Sequence, residues 1–362
     1  MTLHSRAAVF AVAGRPHELR DVAVPPLEPG EVLVRVRMCT LCGSDLHTFQ
    51  GARSTPMPTI LGHEIVGEVA ALGGDGKVDW RGEPVAVGDR ITWSIAAHCG
   101  ACYYCTHGLP QKCEALFKYG HERLTPARPL SGGLAEHCVL TKNTPLLKLP
   151  AALSDAVASL ANCATATAAA ALRVGELAAE ENVLIFGAGM LGLTLAAMAR
   201  QAGAAHVVVA DVAPERLSRA LQFGADVAPV FEGDGGAVVE ELRKLTAGRG
   251  ADLVVEAAGS PEAMEAALKA ARIGGRIVFV GAVRPTRPLA VDAEQIVRRL
   301  LTIRGLHNYT PDDLVTAVDF LAAAVARFPF AEMISEPYPL EMIGEAFEAG
   351  REGKSLRVAV RP

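Results

Sequence analysis

The sequence predicts an α/β protein of two domains, one β-rich and one built on a doubly wound parallel sheet. Three observations carry this. The chain has 362 residues, more than one ordinary core accommodates. From Val183 onward, short apolar strands alternate with helical patterns. Before Leu153 the pattern is instead short β-branched runs punctuated by turn residues.

In the N-terminal part, Val32-Leu33-Val34-Arg35-Val36 reads as a strand after the turn Glu28-Pro29-Gly30-Glu31, and Ile65 to Val69 and Val85 to Trp93 read alike. Such a series suggests a barrel or sandwich whose loops carry ligands. Composition changes near Leu153. Residues 154–172 are alanine-rich and predict a helix with Ser154 as its N-cap. Strands at 183–186, 207–210, 253–256 and 276–280 then alternate with helices at 191–202, 214–223 and 261–271. That order calls for right-handed crossovers and a parallel sheet covered on both faces. A helix over 311–326 and a last strand over 356–360 follow. The expected division is 1–155 with 307–362 packing back on it, and 156–306 as the nucleotide-binding domain. Residues 73–84 form a polar segment.

Half the residues are hydrophobic and 21% are charged, which fits a globular enzyme and excludes disorder. Net charge is only −5 with both signs scattered, so neither nucleic acid nor an anionic membrane is an expected partner. Residues 1–6 lack the apolar core of a signal peptide, and no apolar run is expected to span a bilayer. The expectation is a cytoplasmic protein. In that reducing compartment the eight cysteines serve as metal ligands or buried thiols rather than disulfides.

The chemistry concentrates in Cys42-Gly43-Ser44-Asp45-Leu46-His47 and Gly62-His63-Glu64. Thiolate sulfur and imidazole nitrogen are preferred zinc ligands, and a catalytic zinc keeps one position open. Cys42 and His63 supply two ligands. Cys163, in an alanine-rich stretch, is the third candidate or a buried thiol. Glu64 is a further candidate ligand or a carboxylate that pairs nearby. Asp45 is placed to hold the His63 imidazole or serves as a turn carboxylate. The Ser44 hydroxyl can touch an alcohol at the metal, and His47 can pass a proton to solvent or be an ordinary loop histidine. A metal there lowers the pKa of a bound alcohol, whose alkoxide then passes a hydride onward. Trp93 and Tyr119 are candidates to line the pocket, while Cys39 and Cys138 read as plain buried thiols.

Cys99, Cys102, Cys105 and Cys113 form C-x2-C-x2-C-x7-C, which closes the shell of a structural zinc and does no chemistry. An iron–sulfur cluster and unligated thiols are the alternatives. His98 and His107 lie nearby and read as surface histidines. The stretch Gly187-Ala188-Gly189-Met190-Leu191-Gly192 is a GxGxxG turn between a buried strand and a helix, where backbone N–H groups cradle a pyrophosphate. Asp211 ends the next strand at about 20 residues' distance and suits ribose hydroxyls. Val212 follows it where an NADP site would favour a cation, so NAD is expected. Arg216 either reaches the adenosine ribose or lies on a solvated face.

Together these motifs resemble the zinc-containing medium-chain alcohol dehydrogenase family over nearly the whole chain. The resemblance implies a GroES-like catalytic domain made from both chain ends, a Rossmann domain between them, and an active site in the cleft. It implies two zinc ions per chain. Cys42, His63 and Cys163 would ligate the catalytic one with Glu64 adjacent, and Ser44 and His47 would form a proton relay. It places Arg357 near the cofactor pyrophosphate, and it implies a homodimer or homotetramer. Gly108 to Cys113 and Lys118 to Glu122 look like a branch associated with phosphonate metabolism, in which Lys112, Lys118, His121 and Arg123 would bind a phosphonate or phosphate. The expected substrate is thus a small polar secondary alcohol, a polyol, a cyclitol or a phosphorylated or phosphonylated alcohol. A zinc-free NAD(P)-dependent reductase on the same fold and a non-catalytic nucleotide-binding protein are the competing readings.

Overall fold

The computed structural model describes residues 3–362. The chain forms two compact units. The first comprises residues 1–163, 310–325 and 330–362, and the second residues 164–309 and 326–329. The first unit thus runs through Cys163 before the chain enters the second.

The first unit centres on a mixed sheet. Val32–Leu41 pairs with Glu64–Leu72, with His137–Leu140 and with the C-terminal strand Val358–Arg361. The first strand is longer than the β-branched run suggested because its second half pairs with the chain's last strand, a partner the local sequence does not reveal. Buried Val34, Ile65, Ile91, Leu134 and Val360 fill the core. Trp93 and Tyr119 belong to this core too, both fully buried with ring centroids 6.1 Å apart. They fill the barrel rather than line an open pocket. The polar segment over 73–84 is anchored: Trp80 Nε1 donates to Asp312 at 2.8 Å, and Arg81 pairs with Asp319 on the helix Pro311–Ala324 at 2.6 Å.

The alanine-rich helix is not continuous. It breaks into Asp155–Ala158, capped by Ser154, a π-helical turn Ala161–Thr165, and Ala166–Val174. A π turn widens the helix locally and is found mostly at functional sites. This one carries Asn162 and Cys163. By length and composition Asp155–Val174 could cross a bilayer, contrary to the expectation, yet 78% of its most apolar window is buried inside the fold.

The second unit is a five-stranded parallel sheet ordered His206–Ala210, Asn182–Phe186, Ala251–Glu256, Ala271–Phe279, Thr302–Gly305. Thr302–Gly305 and the helices Gly236–Leu245 and Ala293–Arg298 were not expected, being short or weakly apolar.

One packing feature gives a pH prediction. His17 lies against Phe10, Phe49 and Phe347, and neither ring nitrogen has a hydrogen-bond partner. Burial pushes its pKa down to about 4, against a weaker upward pull from Asp45. The folded state holds it neutral while the unfolded state protonates near 6.5. Its contribution is therefore complete above pH 6.5 and is lost as pH falls toward 4, about 2 kcal/mol by pH 5. His17→Phe should flatten the melting temperature between pH 7 and 5; an unchanged acid-side loss would refute this assignment.

Candidate active site and metal centres

The helix Gly43–Phe49 follows Cys42 directly, and the strand Glu64–Leu72 follows His63. The π turn presents Cys163 to both. The ligand atoms of Cys42, His63 and Cys163 all lie within 4.8 Å of one another, with the two sulfurs 4.0 Å apart. Asn162 fastens this junction from inside the core: its Oδ1 accepts from the Ile65 amide at 3.2 Å and its Nδ2 donates to the Trp93 carbonyl at 3.0 Å. Sequence reasoning passed over Asn162. A lone amide in an apolar helix was the available signal.

The Cys163 hydrogen bond draws the Cys42 thiol well below its ordinary range, helped by Arg357 and His63, and the same bond raises Cys163. His63 Nδ1 sits 3.2 Å from Asp45 Oδ1, an ionic contact off the ideal hydrogen-bond line. Burial depresses His63, but Asp45 and Cys42 outweigh it and raise the imidazole to about 10. Asp45 also accepts from the Cys42 amide at 2.9 Å and the Gly62 amide at 3.3 Å, so one buried carboxylate braces both metal-ligand segments. Ser44 Oγ lies 3.3 Å from His63 Nε2. His47 is exposed one turn on, and no hydrogen bond joins it to Ser44 among the described residues.

Glu64 is not in the ligand group. The fully buried carboxylate receives Arg357 at 2.6 and 2.9 Å and the Thr40 hydroxyl at 2.7 Å. Of the two roles open to it, the geometry displays the pairing carboxylate. Arg357 is buried, pairs with that carboxylate, and stands 3.8 Å from Cys42 Sγ, so its charge also reaches the metal-ligand cluster. Sequence gave no sign of this pairing, because the two residues are 293 positions apart.

Two thiolates and one imidazole converging with a hydroxyl beside them fit a zinc that keeps a position open. The second centre fits a closed one. Cys99, Cys102, Cys105 and Cys113 converge within 4.8 Å, with sulfur separations of 3.5 to 3.9 Å. A tetrahedron with ~2.3 Å zinc–sulfur bonds has edges of about 3.8 Å. The amides of Cys99, Ala101, Cys102 and Ala115 point at the sulfurs and stabilise thiolates. His107 stacks on Tyr103 and His98 lies beside Trp80, both outside the shell. Cys39 and Cys138 are fully buried thiols whose pKa burial raises.

In the second unit the turn 187–192 opens the helix Met190–Gln201, whose N-cap Gly189 has no side-chain cap, leaving the first N–H groups for a ligand. Any side chain at Gly192 would lie 1.7 Å from the Gly187 carbonyl, so only glycine closes this turn. Asp211 is buried at the end of its strand and accepts from the Ala188 and Ala213 amides at 2.6 and 2.9 Å, which ties the ribose candidate to the phosphate turn. Val212 and Arg216 are exposed.

Comparison with known proteins agrees with this architecture. The family described as alcohol dehydrogenase GroES-like domain matches residues 28–151, and that described as zinc-binding dehydrogenase matches residues 191–323. L-threonine 3-dehydrogenase from Coxiella burnetii is 30% identical over 341 residues, covering 92% of this chain and 93% of that protein. An alcohol dehydrogenase structure from Thermotoga maritima superposes with a TM-score of 0.94 at 29% identity, covering 99% of this chain and 100% of the other. One from Thermus sp. ATN1 gives 0.85 at 31%, covering 98% and 99%. With both domain types matched and a relative aligned along almost its full length, the chain belongs to the zinc-containing medium-chain alcohol dehydrogenase family of oxidoreductases.

Proposed function

We propose that the protein is an NAD-dependent zinc alcohol dehydrogenase acting on small polar secondary alcohols. The observation that carries this is the convergence of Cys42, His63 and Cys163 beside the Ser44 hydroxyl. Zinc held there supplies Lewis acidity that lowers the pKa of an alcohol hydroxyl. In this reading Ser44 takes up the hydroxyl proton and His47, exposed on the same helix, exchanges it with water; as no direct hydrogen bond joins the two among the described residues, a bridging hydroxyl or water completes the path. Asp45 keeps the His63 ring in place, while Glu64 and Arg357 keep Cys42 in a balanced charge environment. The threonine dehydrogenase relative is named for a small secondary alcohol, which supports the substrate class. All eight cysteines are free, which suits a reducing cytoplasm.

The test is NAD reduction over a panel of polyols, cyclitols, amino alcohols and hydroxyalkyl phosphonates, with and without a zinc chelator. Turnover abolished by chelation is expected; full turnover in metal-stripped protein would overturn the reading. Asp211 supports NAD over NADP through its carboxylate, which would repel a 2′-phosphate. Asp211→Ala should cut the preference for NAD by about 10-fold or more, the order of one lost charge-assisted contact. An unchanged ratio of kcat/KM for the two cofactors would contradict that role.

The second unit's sheet supports self-association as part of this reading. Thr302–Gly305 is an exposed edge strand with no partner on its outer side among the described residues, and Val297, Leu300 and Ile303 are exposed around it. An open apolar edge invites a second strand. Sedimentation should report a dimer or tetramer, and Ile303→Lys should shift it toward monomer; a monomeric parent chain would contradict this reading.

A further inference from the structure

One cation near the metal ligands, Arg53, has no ionic partner among the described residues. Arg53 lies just past the helix that carries Ser44 and His47, its amide bonded to the His47 carbonyl at 3.2 Å. It is partly buried. Arg37, Arg128, Arg200 and Arg357 are each paired with a carboxylate. Arg53 is not; its Nη1 donates to His121 Nε2 at 2.7 Å. His121 in turn donates from Nδ1 to the Tyr119 carbonyl at 2.9 Å, so it serves Arg53 as a neutral acceptor. Burial first, then the charges of His63, Lys118 and Arg53, hold this imidazole well below its usual range, consistent with that role.

The brace is rigid and close to the chemistry. The His121 and His63 rings are 5.0 Å apart between centroids. Gly120 packs so tightly that a Cβ there would lie 2.6 Å from the Gly62 carbonyl and 3.1 Å from His63 Cβ. Lys118 lies half-buried on the same segment as His121. Burial, with Arg53 adding to it, lowers Lys118 to about 8. Gathering cations in a partly buried place costs free energy that a bound anion offsets.

We propose that Arg53, braced by His121, forms an oxyanion subsite at the metal-ligand cluster, so that the preferred substrate is an alcohol bearing a carboxylate, phosphate or phosphonate. This rests on the alcohol oxidation proposed above. Arg123 is exposed and contributes through its backbone pairing with Thr59 instead. A guanidinium suits a planar or tetrahedral oxyanion through paired N–H donors.

The test compares zinc-loaded wild type and Arg53→Gln on matched alcohols that differ only in one anionic group, with carboxylate and phosphonate members as separate arms. Wild type should prefer one anionic series over its neutral isostere, and Arg53→Gln should lower that preference roughly 10- to 100-fold, as for loss of charge-assisted hydrogen bonds. Calorimetric titration of the NAD-loaded protein with methylphosphonate and with acetate should show the same loss of affinity without relying on turnover. His121→Leu should act like Arg53→Gln, and His121→Gln, which keeps an acceptor, should restore part of the preference. Oxidation of neutral alcohols with no anionic preference overturns the subsite and leaves the dehydrogenase standing. An Arg53→Gln defect equal on both series, with weakened NAD binding, also overturns it. Absence of any alcohol oxidation instead refutes the underlying activity.

Discussion

Cys42→Ser is expected to lower kcat/KM for alcohol oxidation by about 1,000-fold or more. The Lewis acid contributes several kcal/mol, and each 1.36 kcal/mol is a factor of ten. Zinc content should fall from two ions per chain to one, because the four-cysteine lobe does not share ligands with the site it loses. The fold should persist, since Cys42 stands at a helix start rather than inside the apolar core. Metal analysis, circular dichroism and steady-state kinetics on one preparation check this together. Full activity with a single zinc would contradict it.

Arg357→Met carries the largest expected stability loss. Glu64 is completely buried, and Arg357 supplies two of its hydrogen bonds and its only ion pair among the described residues. Removing one partner of a buried pair strands the other charge and costs about 3–5 kcal/mol. The double variant with Glu64→Gln should recover much of that loss, because no charge remains buried alone. Chemical denaturation of the three proteins measures it. A single variant within about 1 kcal/mol of wild type would show that the pair is not what holds Glu64. Exposed pairs such as Arg298–Glu294 should matter far less when broken.

The same residues explain how far sequence reasoning reached. Local patterns carry local chemistry: four cysteines at tight spacing, a GxGxxG turn between strand and helix, and Cys42 and His63 beside glycines all announced themselves. The alternation after Val183 also determined a parallel sheet, because each buried strand needs a crossover helix. What stayed hidden depends on partners far along the chain. Arg357 carries no sign of its partner, since nothing near it says that Glu64 lies across the sheet. The π turn at Asn162 and Cys163 was invisible because an alanine-rich stretch does not reveal which helical hydrogen-bond register it takes. Trp93 and Tyr119 read as pocket residues because amphipathic aromatics serve cores and pockets alike. Arg53 has no local signal, because its brace, His121, lies 68 positions along the chain.

The central claim is that Cys42, His63 and Cys163 hold a zinc distinct from the one in the four-cysteine lobe. Zinc-edge X-ray absorption combined with elemental analysis on the purified chain tests it most directly. Two zinc ions per chain, with an average shell of about three sulfurs and one nitrogen or oxygen, is the expected result. One zinc per chain in an all-sulfur shell would contradict it.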